Sequence, residues 1–342
     1  MASAGARIGI VGATGSLGGE VLGDLSRSTL RVREIVPIAT DDSLGEEIDF
    51  QDELYPVVAA EPDAPELASL RGLDLVILCA PPAASLEYAR QALRVEVPCI
   101  DASGALAASD EVPLHVAALD EPGASAAQPL LAAPAGAALP WALVLKPLQA
   151  AVGLRRVVGT VLDAVSAVGT RGVEVLHGES VAVFNQAEMP EPELFGKSVA
   201  FDCLPATRAS GAFEPDGSTT REKSLVSVLG RLLGHDVGIG ATCVQVPSFL
   251  GQASVLSVET LRPIDVKQAE DWLASAPGVH VWTQDAEGPS MRASAGHREA
   301  LVGRVRRDES TENALSLWIS ADVIALAAAN AVDLAVARLQ LS

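Results

Sequence analysis

The sequence predicts an α/β protein: a doubly wound parallel sheet followed by a second, α+β domain. Three observations carry this. Short apolar runs alternate with helical stretches up to about residue 130. A glycine-rich turn joins the first apolar run to the first helix. Beyond about residue 130, strands follow one another with few intervening helices. A length of 342 residues exceeds one typical core, so two domains are expected.

The elements follow in order. Arg7–Val11 is a short apolar run, as a parallel strand buried on both faces requires. GATGSLGGEVLGDLS turns at its glycines and continues as a helix. Leu30–Thr40, Leu73–Pro81 and Val97–Ser103 read as three further strands, with helical stretches such as SLEYARQAL between them. LRRVVGTVLDAVSAVG alternates as a long strand, and Thr219–Gly234 is an amphipathic helix. VGIGATCVQVP, ASVLSVETL and REALVGRVRRD are strands, and FNQAEMPEPELFGK is an irregular loop. ALSLWISADVIALAAANAVDLAVARL is a strand followed by a long Ala-rich helix. There is no internal repeat.

Composition excludes some classes. The net charge of −20 opposes nucleic-acid binding, which needs a surplus of Lys and Arg against phosphate, and it opposes docking on anionic membranes. The opening MASAGARIGIVG lacks the charged and long apolar regions of a signal peptide. The apolar run Pro129–Leu145 contains three prolines and is too short for a membrane span. Cys79, Cys99, Cys203 and Cys243 are scattered, as are the five histidines. Reduced thiols in a cytoplasmic protein, without a metal, are expected.

The clearest motif is Gly12-Ala13-Thr14-Gly15-Ser16-Leu17-Gly18, a GxxGxxG pattern between a strand and a helix. Glycine allows the tight turn and lets the backbone approach a pyrophosphate. The free N–H groups and dipole of the helix start then favour phosphate. The turn is therefore a candidate dinucleotide site, with NAD or NADP as cofactor. At the end of the second strand stand Thr40 and Asp41, the latter 23 positions beyond Gly18. An acidic residue there accepts from a ribose 2′-OH and repels a 2′-phosphate, so NAD is favoured.

Taken together, IGIVGATGSLGGEVL, LKPLQAAVGLRRVVGTVLDAVSAVG, VAFDCLP, ATCVQVP, VGRVRRD and LWISADVIALAAANAV resemble, block by block and in order, the aspartate-semialdehyde dehydrogenase family. The resemblance covers almost the full length. It implies a Rossmann-like nucleotide-binding domain at 1–133, a dimerising domain at 134–317, and a C-terminal helix within 318–342 that returns to the first domain. It also implies a homodimer. The family chemistry is the reversible NADP-dependent reductive dephosphorylation of an aspartyl phosphate. In the oxidative direction a cysteine thiolate attacks the aldehyde, hydride leaves, and phosphate resolves the thioester.

Laid over this chain, the family's reactive positions are changed. Its nucleophilic cysteine falls on Gly136, within Pro134-Ala135-Gly136-Ala137-Ala138. The glutamine that orients the cysteine falls on Asp163, the carboxylate-holding arginine on Gln245, and the acid/base histidine on Gln252. A phosphate-handling lysine falls on Leu225, with Glu222 retained, and a phosphate-binding arginine falls near Ala107, beyond Asp101. The segment beside the nicotinamide reads Val323-Ile324-Ala325-Leu326.

Glycine has no atom to form a covalent adduct, and an amide does not titrate near neutrality. Where catalytic residues act as a unit, loss of the nucleophile costs roughly a factor of 10⁶. The expectation is a dinucleotide-binding paralogue of the Usg kind, with no catalytic residues for the family reaction; the alternatives are an active NAD(P)-dependent oxidoreductase on an aldehyde or acyl-phosphate-related substrate with a changed active site, and a structural or regulatory subunit without nucleotide. Cys79 and Cys243 are alternative thiols that read as small buried hydrophobes. Asp163 and Glu222 read as an acid and base or, more simply, as solvated carboxylates in a vestigial pocket. No other thiol, histidine or guanidinium is expected to enter that pocket.

Overall fold

The computed structural model describes residues 5–59, 69–121, 123 and 128–340. The chain forms two compact units, one of Met1–Ala135 with Ala327–Ser342, the other of Gly136–Leu326.

In the first unit, β1 (Ala6–Val11) leads through α1 (Ser16–Arg27) to β2 (Val32–Ala39). A hairpin of β3 (Glu47–Phe50) and β4 (Glu53–Pro56) and a short β5 (Val58–Ala59) follow. Then come β6 (Leu75–Leu78), α2 (Pro82–Arg94), β7 (Cys99–Asp101) and β8 (Leu130–Ala132). The six-stranded sheet has the order β5-β2-β1-β6-β7-β8, with every pairing parallel. Its central strands are buried on both faces, which is why they read as apolar runs. Val21, Leu22 and Leu25 of α1 pack with Ile8, Ile10 and Ile77 on one face. Tyr88, Ala89 and Ala92 of α2 pack with Val11, Val76 and Leu78 on the other. The order reverses between β1 and β6, which puts the switch point beside the glycine turn.

In the second unit, α3 (Ala138–Val152) precedes β9 (Leu154–Asp163), α4 (Thr170–Phe184) and α5 (Thr220–Leu233). These are followed by β10 (Gly238–Gln245), β11 (Gln252–Thr260), α6 (Val266–Ala274), β12 (Val279–Val281), β13 (Ala300–Arg307) and β14 (Ala314–Ala321). The sheet order is β10-β9-β11-β14-β13-β12, mixed parallel and antiparallel. The run Pro129–Leu145 thus divides into β8 and the start of α3. α3 is apolar nearly all round because it is buried nearly all round. Its Trp141 is fully buried over Gly159 of β9, with the indole N–H donating to Ser254 Oγ at 2.9 Å.

The last helix, α7 (Val323–Gln340), is capped by Asp322, whose carboxylate accepts from the N–H groups of Ile324 and Ala325. From Ala327 it belongs to the first unit, where Ala328, Ala331, Val332 and Ala335 join the α1 face of the core. The Asn330 amide oxygen accepts from Ala117 N–H at 2.8 Å. By length and composition α7 is apolar enough to cross a membrane; its burial in this core accounts for that composition.

The Trp141–Gly159 contact sets a test. A Cβ on Gly159 would lie 2.3 Å from Leu256 and 2.6 Å from Trp141. Gly159→Ala is expected to lower unfolding free energy by about 1–3 kcal/mol, read from urea melts.

Candidate functional site

The glycine turn takes the geometry a pyrophosphate needs. Gly12 has φ +85°, and its N–H donates to Ile38 O at 2.7 Å, tying the turn to β2. A Cβ on Gly18 would lie 2.2 Å from Gly12 O, so only glycine lets α1 start this close to β1. Gly15 is the N-cap of α1 and supplies no side-chain cap, and the first turn has no acidic residue. The N–H groups over Ser16, Leu17 and Gly18 are therefore left for an outside acceptor. Thr14, Gly15 and Ser16 are exposed, and the Thr14 hydroxyl lies 3.2 Å from the Ser43 hydroxyl. Thr40 is exposed just beyond β2 and opens a short 3-10 turn at Asp41–Ser43; the side chain of Asp41 lies outside the described residues.

In the second unit, sheet register assembles three of the residues that the block resemblance singles out. Asp163 ends β9. It is paired with Gln245 on β10 and with Gln252 on β11, so one row across three strands carries all three side chains. All are buried, Asp163 to 3% residual exposure and Gln252 to 2%. Asp163 Oδ1 accepts from Gln252 Nε2 at 2.7 Å. Gln245 Nε2 donates to the Asp163 backbone oxygen at 2.7 Å. The same Oδ1 also accepts at 2.8 Å from the guanidinium of Arg221, in the first turn of α5. Burial pushes the Asp163 carboxyl above its ordinary range, against the opposing pull of Arg221 and Gln252.

Two expectations are corrected here. Asp163 and Glu222 are not solvated. Glu222 Oε2 accepts from the Thr219 N–H and hydroxyl in a capping box, and its Oε1 accepts from Cys243 N–H at 2.8 Å. Nor has the region lost every guanidinium: position 245 holds an amide, but Arg221 brings a cation to the same row from a helix. Sequence reasoning missed Arg221 because it lies 58 positions from Asp163 and only the docking of α5 joins them.

The remaining candidates are inert as nucleophiles. Gly136 has φ +56°, and a Cβ built there meets nothing within 4 Å. Burial pushes the Cys243 thiol up to about 12, and the nearby Asp163 charge adds to the shift. Cys79 is raised further, by burial and then by Asp101. A thiol this far above neutrality carries almost no thiolate. Asp101 is itself buried and accepts from the Ser103 and Leu106 N–H groups, shaping the loop that runs to the buried Ala107. Leu225 is buried in α5. Among the described residues, no three His, Cys, Asp or Glu side chains group as a metal site.

Comparison with known proteins decides the family. Residues 7–126 match the model for the semialdehyde dehydrogenase NAD binding domain, and residues 145–325 match the semialdehyde dehydrogenase dimerisation domain. The aspartate-semialdehyde dehydrogenase of Aquifex aeolicus is 32% identical over 97% of each chain. This chain belongs to the aspartate-semialdehyde dehydrogenase family. Aspartate semialdehyde dehydrogenase II of Vibrio cholerae, solved as a complex with ASA, superposes with a TM-score of 0.90 at 28% identity over 99% of each chain. A USG-1 protein homolog of Pseudomonas aeruginosa is 30% identical over 95% of each chain. The parallel first unit, the mixed-sheet second unit and the returning helix are thus the architecture of this semialdehyde dehydrogenase family.

The raised carboxyl of Asp163 has a signed consequence. Between its unfolded and folded proton affinities, the folded chain holds the extra proton, so stability falls as pH rises through that window. Relative to Asp163→Asn, the wild-type chain is therefore expected to lose stability as pH climbs out of the acidic carboxylate range and then to level off. Chemical denaturation at a series of pH values checks this; a wild-type chain that gains stability over the variant as pH rises would mean that Arg221 outweighs burial.

Proposed function

We propose that this protein binds a dinucleotide at the Gly12–Gly18 turn but does not carry out the covalent chemistry of its family. The carrying observation is that the expected nucleophile position has no reactive atom. Gly136 stands where the family nucleophile is expected, and the thiols of half-buried Cys79 and buried Cys243 are held protonated. The residues at the acid/base and carboxylate-anchoring positions, Gln252 and Gln245, are amides bonded to Asp163.

Cofactor-binding residues in this reading are Gly12, Thr14, Gly15, Ser16, Leu17 and Gly18, with Thr40 and Asp41 at the ribose. NAD is favoured over NADP because Asp41 opposes a 2′-phosphate. When bound, a nicotinamide dinucleotide supplies hydride chemistry; the turn supplies backbone N–H groups for its phosphates. The protein works as a cytoplasmic homodimer. The β9 face opposite Asp163 leaves Val158, Thr160 and Leu162 half-buried, and Val255 beside them is 42% exposed. A second copy of the dimerisation domain would cover this apolar face.

Two measurements test this reading. Calorimetric titration with NAD and NADP is expected to show binding, tighter for NAD; no heat with either would leave a structural subunit without nucleotide. Gly136→Cys is expected to remain inactive with aspartate semialdehyde, phosphate and either cofactor, followed by absorbance of the reduced nicotinamide. The new thiol would sit on a left-handed backbone that costs a side chain about 1–2 kcal/mol, and Gln245 and Gln252 still lack the needed groups. Turnover by the wild-type chain would overturn the proposal.

A further inference from the structure

Two glycines of α1 have no cause inside the chain. Gly18 is forced, because a Cβ there would strike Gly12 O. Gly19 and Gly23, on the same helix, are not. A Cβ on Gly19 would meet nothing within 4 Å, and one on Gly23 would meet only the Arg27 guanidinium, at 3.5 Å and beyond. Neither residue has a positive φ. Glycine weakens a helix interior, so a helix built for stability alone would carry side chains at both positions. What the two glycines do create is space. They line a cavity of about 450 Å³ between α1 and the β3–β4 hairpin, within the size range of small-molecule sites.

The chemistry of the walls identifies the occupant. Leu22, Ile48 and Phe50, which pack into the α1 face of the core, give the cavity an apolar floor. Glu46 and Asp49 bring two carboxylates, and no Lys, Arg or His is among the lining residues. Neither carboxylate is paired with a cation among the described residues. Arg27, the cation beside Gly23, is matched by Asp24 Oδ1 at 2.6 Å. The chain's net charge of −20 reinforces the local sign. An anion is repelled here, and a neutral apolar compound leaves both carboxylates unmatched. An organic cation with an apolar body suits the floor and the rim together.

We propose that the cavity between α1 and the β3–β4 hairpin binds a small aliphatic amine in its ammonium form. The alkyl body lies along the glycine face of α1, over Leu22, Ile48 and Phe50, and the ammonium group meets Glu46 and Asp49. Glycine at positions 19 and 23 is what lets the alkyl chain approach the helix backbone. The site lies within the first unit and uses no residue of the Asp163 row. It is also separate from the dinucleotide reading, since Ala13 and Thr14 are the turn residues that reach it and neither supplies the cation-binding groups.

Pentylammonium, 1-pentanol and pentanoate share one alkyl chain and differ in charge, so together they test the site on the full chain at neutral pH. Nitrogen-15 NMR follows the backbone amides of Gly19 and Gly23, each assigned by its loss in Gly19→Leu or Gly23→Ala. Pentylammonium is expected to move both resonances saturably. 1-Pentanol is expected to bind roughly tenfold more weakly, for want of two charge partners, and pentanoate to leave the resonances in place. Glu46→Gln is expected to weaken pentylammonium binding about two- to fivefold, as loss of one exposed charge partner does. Gly19→Leu puts a better helix former into the cavity, so the chain is expected to stay folded while Gly23 stops responding. Glycine amides unmoved by pentylammonium, or moved as readily by pentanoate or 1-pentanol, overturn the proposal, and the wild-type arm alone suffices for that. A Gly23 amide that still responds in Gly19→Leu overturns it as well. None of these outcomes bears on NAD binding or on turnover of aspartate semialdehyde.

Discussion

A carboxylate withdrawn from water at the end of β9 sets the terms for the second unit. Moving such a charge out of water costs several kcal/mol unless it is paired and hydrogen-bonded. Asp163 obtains both, from a guanidinium on α5 and an amide on β11. Each partner must then be brought to it. The register of β9, β10 and β11 aligns the two glutamines, and the Thr219–Glu222 capping box fixes where α5 begins and so where Arg221 points. Glu222 in turn binds Cys243 N–H on the edge strand β10, so the helix start, the sheet edge and the buried carboxylate form one connected polar network.

The family framework tolerates this because fold and chemistry depend on different residues. The parallel core asks for apolar volume on both faces of β1 and β6, and any mixture of Ile, Val and Leu supplies it. The reactive row asks for particular groups at three registered positions, and those can be exchanged without disturbing the strands that carry them. In this chain that row is a cluster of Asp163, Gln245 and Gln252 bonded to one another and to Arg221. The cation enters from the first turn of a helix.

Much of the fold was legible because burial leaves a periodic trace. The runs at Arg7–Val11 and Leu73–Pro81, the glycine turn between strand and helix, and the amphipathic Thr219–Gly234 all state their own environment. The hairpin of β3 and β4 did not, because its two-residue turn is Gln51-Asp52, both with positive φ, in place of the Asn-Gly pair that usually announces such a turn. The three-residue β8 was hidden in an apolar run continuous with α3. At the site, Gly136, Asp163, Gln245 and Gln252 came from the block resemblance. Their mutual hydrogen bonds required strand register, and Arg221 required the docking of α5. The burial of Asp163 and Glu222 was misread as solvation because a carboxylate's partners are a tertiary property.

In the proposed reading, Gly136 at the nucleophile position and the protonated thiols of Cys79 and Cys243 form no covalent adduct with an aldehyde substrate. Intact-protein mass spectrometry after incubation with aspartate semialdehyde and NAD, without phosphate to release a thioester, tests it most directly. The account predicts the unmodified mass of the chain. A stoichiometric acyl adduct, mapped to Cys79, Cys99, Cys203 or Cys243, would contradict it.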